Sequence, residues 1–314
     1  MKKSEAISRN FRIFGARYVI LDFFYQLFRF LHKQTVGENP NEKEKIIVKK
    51  INDYYMFIDK NGKGIHRDLY LHSTREPVST TIVNSILQEG DIVLDAGANI
   101  GYYVIMESKR VGGKGIVYAV EPIKISFDLL KKNVKLNKLK NVKFYNLAFN
   151  DKQGEIDINI SLESNLNTPI KTKEATKIEK VKATTLDLFF RDKKKPTFMR
   201  MDIEGFEHVV FRGGLKTLNS LEKIFVELHF PLIDKKSMVS LLKLLKKKGF
   251  EIDKAVLEWE RWVEEESLLG KIVNYLHKRR SRPVIFENMT IDSLMKAKDF
   301  MDGHHSLEVF FVKK

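Results

Sequence analysis

The feature that most constrains this chain is a glycine turn after a short apolar run, followed by a second apolar run that ends in an acid. The first run is 92–94 (IVL), and the turn is 95–101 (DAGANIG). About twenty residues later, 115–120 (GIVYAV) leads into Glu121. Parallel α/β sheets build nucleoside sites at the carboxyl ends of their strands, where glycine admits the ligand and an acid accepts the ribose hydroxyls. The pattern therefore predicts a nucleoside site at the turn and Glu121.

The turn differs from the G-x-G-x-x-G turn that holds a dinucleotide pyrophosphate on a helix amino end. Its spacing is D-x-G-x-x-x-G, and Asn99 stands at the middle position. S-adenosylmethionine has no phosphate, and its sulfonium and zwitterionic methionine favour a carboxylate such as Asp95 at the turn. The spacing therefore favours S-adenosylmethionine. The alternative is an ordinary strand-turn-helix junction with incidental glycines.

The composition is that of a globular protein, with 43% hydrophobic and 31% charged residues in a chain of 314. The absence of cysteine excludes disulfides, thiolate zinc sites and cysteine nucleophiles, and it fits a cytoplasmic location. A net charge of +15 would attract an anionic membrane, nucleic acid or an acidic substrate. The same charge also fits a lysine-rich surface with no such partner.

The amino-terminal segment 11–31 holds eight aromatic residues and predicts an amphipathic helix. Arg17, Asp22 and Arg29 interrupt the apolar run that a bilayer span of about 20 residues requires, so no transmembrane helix is expected. No signal-peptide cleavage site follows. Two interpretations remain: peripheral membrane contact through residues 1–35, or docking on the catalytic domain or on a second subunit. A homo-oligomer is compatible with the second interpretation.

Two domains are expected: an extension of residues 1–75, with a polar linker at 36–45 and a hairpin in 46–72 that turns at Asn61-Gly62, and a catalytic domain of residues 76–314. In the second part strands and helices alternate, which predicts a mostly parallel sheet with helices on both faces. The expected later elements are helices near 77–87, 126–137, 206–219 and 236–248, strands near 142–147, 197–202, 223–229 and 307–312, and an inserted hairpin at 154–160 and 178–183.

Further acids follow the next two strands of the expected sheet. Asp202 ends one strand, and Glu227 shares a face of the following strand with His229 because strand side chains alternate. These residues are expected to converge with Asp95 and Glu121 at one edge of the sheet. A buried carboxylate cluster needs a cation, a partner or water, and the sulfonium of S-adenosylmethionine is a candidate cation.

At this point the chain resembles the FkbM family of S-adenosylmethionine-dependent methyltransferases, over about residues 76–250. The segments that carry the resemblance are 93–103 (VLDAGANIGYY), 117–122 (VYAVEP), 141–158, 184–190 (TTLDLFF), 199–214 (MRMDIEGFEHVVFRGG) and 226–230 (VELHF). The resemblance implies the class I methyltransferase fold, a Rossmann-like sheet of seven strands whose last strand runs antiparallel. It also implies S-adenosylmethionine as cofactor and transfer mostly to hydroxyl oxygens.

The cofactor roles are then expected as follows. The methionine end of the pocket would be shaped by Asp95, Gly97, Ala98, Asn99 and Gly101. Glu121 would hold both ribose hydroxyls by charge-assisted hydrogen bonds. Asn146 and Ala148 would border the adenine, largely through backbone groups.

An alcohol is a poor nucleophile, so a base must remove its proton as the methyl group arrives. His229 is the first candidate because imidazole titrates near neutral pH, and Asp202 is the alternative base or a group that orients the hydroxyl. His229 could instead be a structural histidine at the sheet edge. Glu204 is either catalytic or a cap of the following helix, and Glu207 is expected on that helix surface. No metal is expected, because the D-x-E spacing with the distant Glu227 is not diagnostic of magnesium.

The leading hypothesis is an O-methyltransferase acting on a glycan, a lipid-linked saccharide or another small molecule. The first alternative is an RNA ribose methyltransferase, suggested by the net charge and the basic run 277–282 (HKRRSR). The sequence D-I-E-G stands where base-methylating relatives of the fold carry a D/N-P-P-Y/F type motif, which disfavours base methylation. Ribose methylation stays open because it too alkylates a hydroxyl, although a nucleic-acid partner is not the leading expectation. The second alternative is a membrane-associated binding protein without turnover.

Overall fold

The computed structural model describes residues 16–35, 45–161, 163, 166–170, 175–258, 268–269, 272–273, 275–276 and 283–314. The chain divides into two compact units: Met1–Lys43 with Leu257–Ile285, and Glu44–Val256 with Phe286–Lys314. In the first unit the long helix α1 spans Ala16–Thr35. Most of the expected linker and the basic run 277–282 lie outside the described residues. The domain division at residue 75 stays a prediction.

The largest sheet of the described residues has eight strands. The described strands of the chain are β1 (Ile46–Ile51), β2 (Tyr54–Asp59), β3 (Ile92–Ala96), β4 (Ile116–Val120), β5 (Val142–Tyr145), β6 (Ala148–Phe149), β7 (Gly154–Ile160), β8 (Lys177–Thr184), β9 (Phe198–Met201), β10 (Lys223–Leu228), β11 (Phe250–Leu257), β12 (Val284–Phe286) and β13 (Leu307–Lys313). The order in the large sheet is β12-β11-β13-β10-β9-β3-β4-β5.

The pairing in this sheet confirms the expected class I methyltransferase fold. Strands β5, β4, β3, β9 and β10 are parallel to one another. Strand β13 is antiparallel to both β10 and β11. These seven strands correspond to the expected seven. Strand β12 adds an eighth at the edge, in a segment to which the sequence assigned no strand.

Helices alternate with these strands, and their ends follow local chemistry. They are α2 (Ile65–His72), α3 (Pro77–Ile86), α4 (Tyr102–Val111), α5 (Lys124–Leu136), α6 (Leu186–Phe189), α7 (Glu207–Arg212), α8 (Lys235–Lys247), α9 (Ile291–Lys296) and α10 (Lys298–Met301). Helix α3 begins at a proline, which needs no amide partner there. In α8 the Asp234 side chain caps the Ser237 amide. Its apolar face, Met238, Leu241, Leu242 and Leu245, is buried at helical spacing.

The amino-terminal hairpin turns earlier than the sequence suggested. Strands β1 and β2 pair from Ile46↔Asp59 to Ile51↔Tyr54, so the turn is at residues 52–53, where Asn52 adopts a left-handed φ of 51°. A turn does form next to Asn61-Gly62, where the amide of Gly62 donates to the carbonyl of Asp59 at 3.1 Å, but it follows β2 and does not join the two strands. The Asp59 side chain accepts hydrogen bonds from the amides of Lys45 and Asn61 at this end of β2. Asn61 and Gly62 lead into helix α2.

The expected inserted hairpin is confirmed and forms a second, three-stranded sheet in the order β6-β8-β7. Strands β7 and β8 pair antiparallel from Gly154↔Ala183 to Ile160↔Lys177. Strand β6 begins three residues after β5 ends, so this sheet starts near the carboxyl edge of the large one. That position lets β7 contribute side chains to a cavity at this edge.

Candidate active site

The glycine turn after β3 packs so closely that a side chain at its centre has no room. Gly97 has a φ of +86°, and a Cβ placed there would lie 1.9 Å from the backbone oxygen of Asp202. The amides of Gly97 and Ala98 both donate to the carbonyl of Val120, each at 3.0 Å. The turn is therefore held against the ends of both β4 and β9, and its bare backbone faces the sheet edge.

Glu121 stands at the end of β4 with both carboxylate oxygens oriented by backbone amides. Its Oε2 accepts from the amide of Asn99 at 2.9 Å, and its Oε1 accepts from the amide of Ile123 at 2.8 Å. Burial raises the pKa of Glu121 to about 7, although these two hydrogen bonds oppose the rise. The carboxylate thus has a fixed direction and can accept further hydrogen bonds from a ligand.

A cavity with an empty volume of about 660 Å³, open solvent included, lies beside Glu121. Its lining residues are Ala96, Gly97, Asn99, Val120, Glu121, Pro122, Ile123, Leu147, Ala148, Phe149, Ile156, Ile158, Asn167, Pro169, Asp202, Ile203, Glu204 and Phe206. Apolar side chains from the β4 and β5 ends and from β7 can cover an adenine, and Glu121 can accept the ribose hydroxyls. The residues therefore fit S-adenosylmethionine.

Six of the eleven residues proposed from the sequence line this cavity: Gly97, Asn99, Glu121, Ala148, Asp202 and Glu204. Ala98 instead lines a smaller neighbouring cleft, together with Arg75, Tyr102 and Arg200. Asp95, Gly101, Asn146 and His229 line neither of the two spaces. The individual roles stay predictions.

Two of the four residues that line neither space, Asn146 and Gly101, support the backbone around the cavity. The Asn146 side chain donates to the carbonyls of Glu121 at 2.9 Å and Pro122 at 2.7 Å, which holds the chain beside the expected ribose site. Gly101 allows α4 to begin against Leu130, since a Cβ there would lie 2.6 Å from the leucine Cδ1.

Arg200 is the most important site residue that the sequence did not predict. Its Nη1 donates to Asp95 Oδ1 at 3.0 Å, and its Nη2 donates to Asp202 Oδ2 at 3.1 Å. The guanidinium lies 4.1 Å from the centre of the Tyr103 ring, and both Arg200 and Asp95 are buried. Burial raises the pKa of Asp95, and the arginine opposes this rise. A charged residue inside the apolar strand 198–201 was the signal that could have revealed it.

His229 is buried at the end of β10 and is surrounded by carboxylates. Its Nδ1 lies 2.9 Å from Glu207 Oε1, and its Nε2 lies 3.3 Å from Glu204 Oε2 and 3.5 Å from Glu227 Oε1. The same Nε2 is 3.8 Å from Asp202 Oδ1. Burial lowers the pKa of His229, but these acids outweigh it and hold the pKa well above the usual value.

The positions of Glu204 and Glu207 correct two expectations. Glu207 is fully buried, not on the helix surface, and its Oε1 accepts from the amide of Gly205 at 3.1 Å as well as facing His229. Glu204 does not cap α7, whose amino cap is Phe206 with no side-chain cap bond. The reason is the left-handed backbone at Glu204 and Gly205, with φ of 55° and 93°, which turns the chain and directs Glu207 inward.

The sheet order, the glycine turn and the acid after the second parallel strand together define a class I methyltransferase. The sequence model of the Methyltransferase FkbM domain matches residues 95–252, half of the chain. The chain therefore belongs to the FkbM methyltransferase family, which confirms the resemblance seen in the sequence. Members of this family use S-adenosylmethionine, and this chain is an S-adenosylmethionine-dependent methyltransferase.

Solved structures to which the chain is similar include TYW2 of M. jannaschii in complex with AdoMet, at 16% identity over 87% of this chain and 89% of that chain, with a TM-score of 0.42. The tRNA m1G37 methyltransferase of M. jannaschii is 17% identical over 87% and 58%, with a TM-score of 0.39. Methyltransferase FkbM from Methylobacillus flagellatus is 18% identical over 52% and 43%, with a TM-score of 0.33. No curated protein matches the sequence.

Proposed function

We propose that the chain transfers a methyl group from S-adenosylmethionine to a hydroxyl oxygen of a glycan, a lipid-linked saccharide or another small molecule. The observation that supports this proposal is the position of Asp202 and Glu204. Both acids line the cofactor cavity and both lie within 4 Å of His229. A hydroxyl acceptor needs a proton acceptor beside the reacting oxygen, and this group supplies several.

When bound, S-adenosylmethionine supplies an electrophilic methyl group on sulfur. Glu121, fixed by the amides of Asn99 and Ile123, holds the ribose and so sets the position of the cofactor. Alignment of donor and acceptor contributes roughly 7–11 kcal/mol to such a reaction. Asp202 and Glu204 orient the acceptor hydroxyl and receive its proton. His229 contacts both carboxylates through Nε2 and holds them in place.

The acceptor class is tested by incubating the purified chain and S-adenosylmethionine labelled in its methyl group with a cell extract. We expect the label in the small-molecule or lipid fraction. Label in RNA would instead favour the ribose methyltransferase. Tight binding of the cofactor with no labelled product in any fraction would favour the binding protein without turnover.

Cofactor affinity is expected to depend on pH through Glu121. The ionised carboxylate accepts both ribose hydroxyls, and it predominates only above the pKa of about 7. Affinity for S-adenosylmethionine should therefore be about tenfold lower at pH 6 than at pH 8. Titration calorimetry at both pH values measures this ratio. Glu121→Gln should bind more weakly at pH 8 and with little pH dependence; a wild-type ratio near one would contradict the role of Glu121.

The proposal extends to peripheral contact with a membrane through helix α1. No helix in the described part of the chain is long and apolar enough to cross a bilayer. In α1, Tyr18 and Tyr25 are buried, whereas one stripe is exposed over about 120° of the helix. The exposed stripe consists of Ile20, Phe23, Phe24, Leu27, Phe30 and Leu31. Residues 1–35 also carry seven Lys and Arg against two acids, which complements an anionic lipid surface.

Replacing two aromatic residues of this stripe is expected to weaken vesicle binding. Each phenylalanine that enters a membrane interface contributes on the order of 1 kcal/mol or more, so Phe23→Ser with Phe30→Ser should lower partitioning at least tenfold. Co-sedimentation with vesicles containing phosphatidylglycerol measures it. Tyr55→Ser, which removes an exposed aromatic residue from strand β2, is the matched control. Equal partitioning of both variants would contradict membrane contact through α1 and favour its docking on the catalytic domain or on a second subunit.

A further inference from the structure

Three of the four acids around His229 face the same nitrogen of its ring. Nε2 makes no hydrogen bond within the described part of the chain, and it faces oxygens of Glu204, Glu227 and Asp202 at 3.3–3.8 Å. The His229 side chain is 4% exposed. The opposite ring nitrogen, Nδ1, is held by Glu207 at 2.9 Å. The buried imidazole therefore presents one nitrogen to three converging carboxylates.

The arginine that contacts one acid of this group is also paired with an acid outside it. Arg200 donates to Asp95 and to the Oδ2 atom of Asp202, on the far side of that carboxylate. The remaining Asp202 oxygen, Oδ1, is buried and accepts no hydrogen bond from the described residues. Partly buried carboxylates that face one another favour a compensating cation.

The spacing of these atoms suits a metal ion. Bonds of about 2.0–2.2 Å from a divalent cation to nitrogen and oxygen place neighbouring ligand atoms roughly 2.8–3.6 Å apart. The Nε2 to oxygen distances of 3.5 and 3.8 Å to Glu227 and Asp202 require only a small contraction. One ligand atom from each of Asp202, Glu227 and His229 lies within 4.8 Å of the others.

We propose that Asp202, Glu227 and His229 bind a divalent first-row cation at the edge of the cofactor cavity. The cation binds Nε2 while Nδ1 keeps its hydrogen bond with Glu207. Glu207 is a positioning residue, because its hydrogen bond with Nδ1 turns the lone pair of Nε2 toward the two acids. The sequence favoured no metal because the spacing of the acids is not diagnostic, and it placed Glu207 on the surface. The buried contact between Glu207 and His229 favours a metal site, because it directs Nε2 toward the acids.

A role for the cation in the reaction rests on the proposed hydroxyl transfer. Asp202 lines the cavity, so an acceptor hydroxyl that enters there can complete the coordination. A bound cation lowers the pKa of such a hydroxyl. The proton passes to Glu204, which lies outside the three ligands. The oxygen then forms the new O–C bond while the S–C bond of the cofactor breaks and the sulfur keeps its electron pair.

Binding of Mn²⁺ to the full chain, stripped with a chelator, tests the proposal without any acceptor. Titration calorimetry and the electron paramagnetic resonance signal of free Mn²⁺ should both give one ion per chain. Mg²⁺ and Ca²⁺ should bind more weakly, because they prefer oxygen ligands alone and imidazole suits first-row metals. Glu227→Gln and His229→Gln should lose most of the Mn²⁺ affinity. Glu207→Gln should lose about 10–100-fold, as expected for the partner of a ligating histidine.

Glu251→Gln is the control, since this exposed acid begins β11 at the opposite edge of the sheet. It should bind Mn²⁺ as the wild type does. Absence of Mn²⁺ binding by the wild type, or equal affinity in Glu227→Gln and Glu251→Gln, would overturn the site. Calorimetry with S-adenosylmethionine in the presence of chelator separates the two proposals. Cofactor binding without Mn²⁺ binding leaves the proposed function standing, and Mn²⁺ binding without label transfer refutes only the transfer.

Discussion

Arg200→Met is expected to destabilise the protein by about 3–5 kcal/mol, because it leaves the fully buried Asp95 without its cation. Asp95 Oδ2 already accepts no hydrogen bond from the described residues, so nothing nearby replaces the lost donor. Methionine keeps the contact with the Tyr103 ring and much of the volume, so the change removes mainly charge. In a unit of this size the loss corresponds to a thermal midpoint lower by about 6–20 °C.

The matched control is Arg212→Met. Arg212 pairs with Asp151 at 3.0 Å, a distance similar to that of the Arg200–Asp95 pair, but both side chains are largely accessible to water. Removal of such a pair costs at most about 1 kcal/mol. Thermal unfolding monitored by circular dichroism compares the two variants. Similar midpoints for both would show that the buried pair contributes no more than the exposed one. Adding Asp95→Asn to Arg200→Met should restore part of the loss, because the unpaired charge is then gone.

The parts of the site that the sequence predicted are local. The glycine turn and Glu121 each follow a buried strand, and the direction of a strand end needs no knowledge of distant residues. Their meeting is confirmed by the hydrogen bond from the Asn99 amide to the Glu121 carboxylate. The inserted hairpin was predicted for the same reason, because its strand pattern is continuous in the sequence. The antiparallel direction of the last strand was implied by the family resemblance and by no local pattern.

The parts that the sequence missed depend on register and on backbone turns. Arg200 meets Asp95 because β9 pairs with β3 and brings these two residues opposite each other. No spacing within one strand fixes that register. Glu207 points inward because Glu204 adopts a left-handed φ, which is uncommon for a residue with a side chain. The expected surface position of Glu207 assumed an ordinary helix start. Both missed residues stabilise charges that the sequence did place at the sheet edge.

His229→Ala is expected to lower turnover at least a hundredfold while affinity for S-adenosylmethionine changes less than about threefold. The imidazole contacts Asp202, Glu204, Glu207 and Glu227, so its loss leaves four acids to repel one another beside the reacting oxygen. Cofactor affinity survives because His229 is absent from the cavity lining, whereas Glu121 and the glycine turn are part of it. The initial rate of label transfer into the acceptor fraction gives turnover, and calorimetry gives affinity.

Glu207→Gln separates a direct role of the imidazole from simple support of the fold. The glutamine keeps an oxygen near Nδ1 and the amide of Gly205, so packing is preserved. Only the negative charge next to Nδ1 is lost. We expect turnover to fall about 10–100-fold, less than in His229→Ala, at an unchanged thermal midpoint. If His229→Ala kept near-normal turnover, Asp202 and Glu204 would not need the imidazole to orient the acceptor hydroxyl and receive its proton. The positioning role of His229 would then be contradicted, and the two carboxylates that line the cavity would act without it.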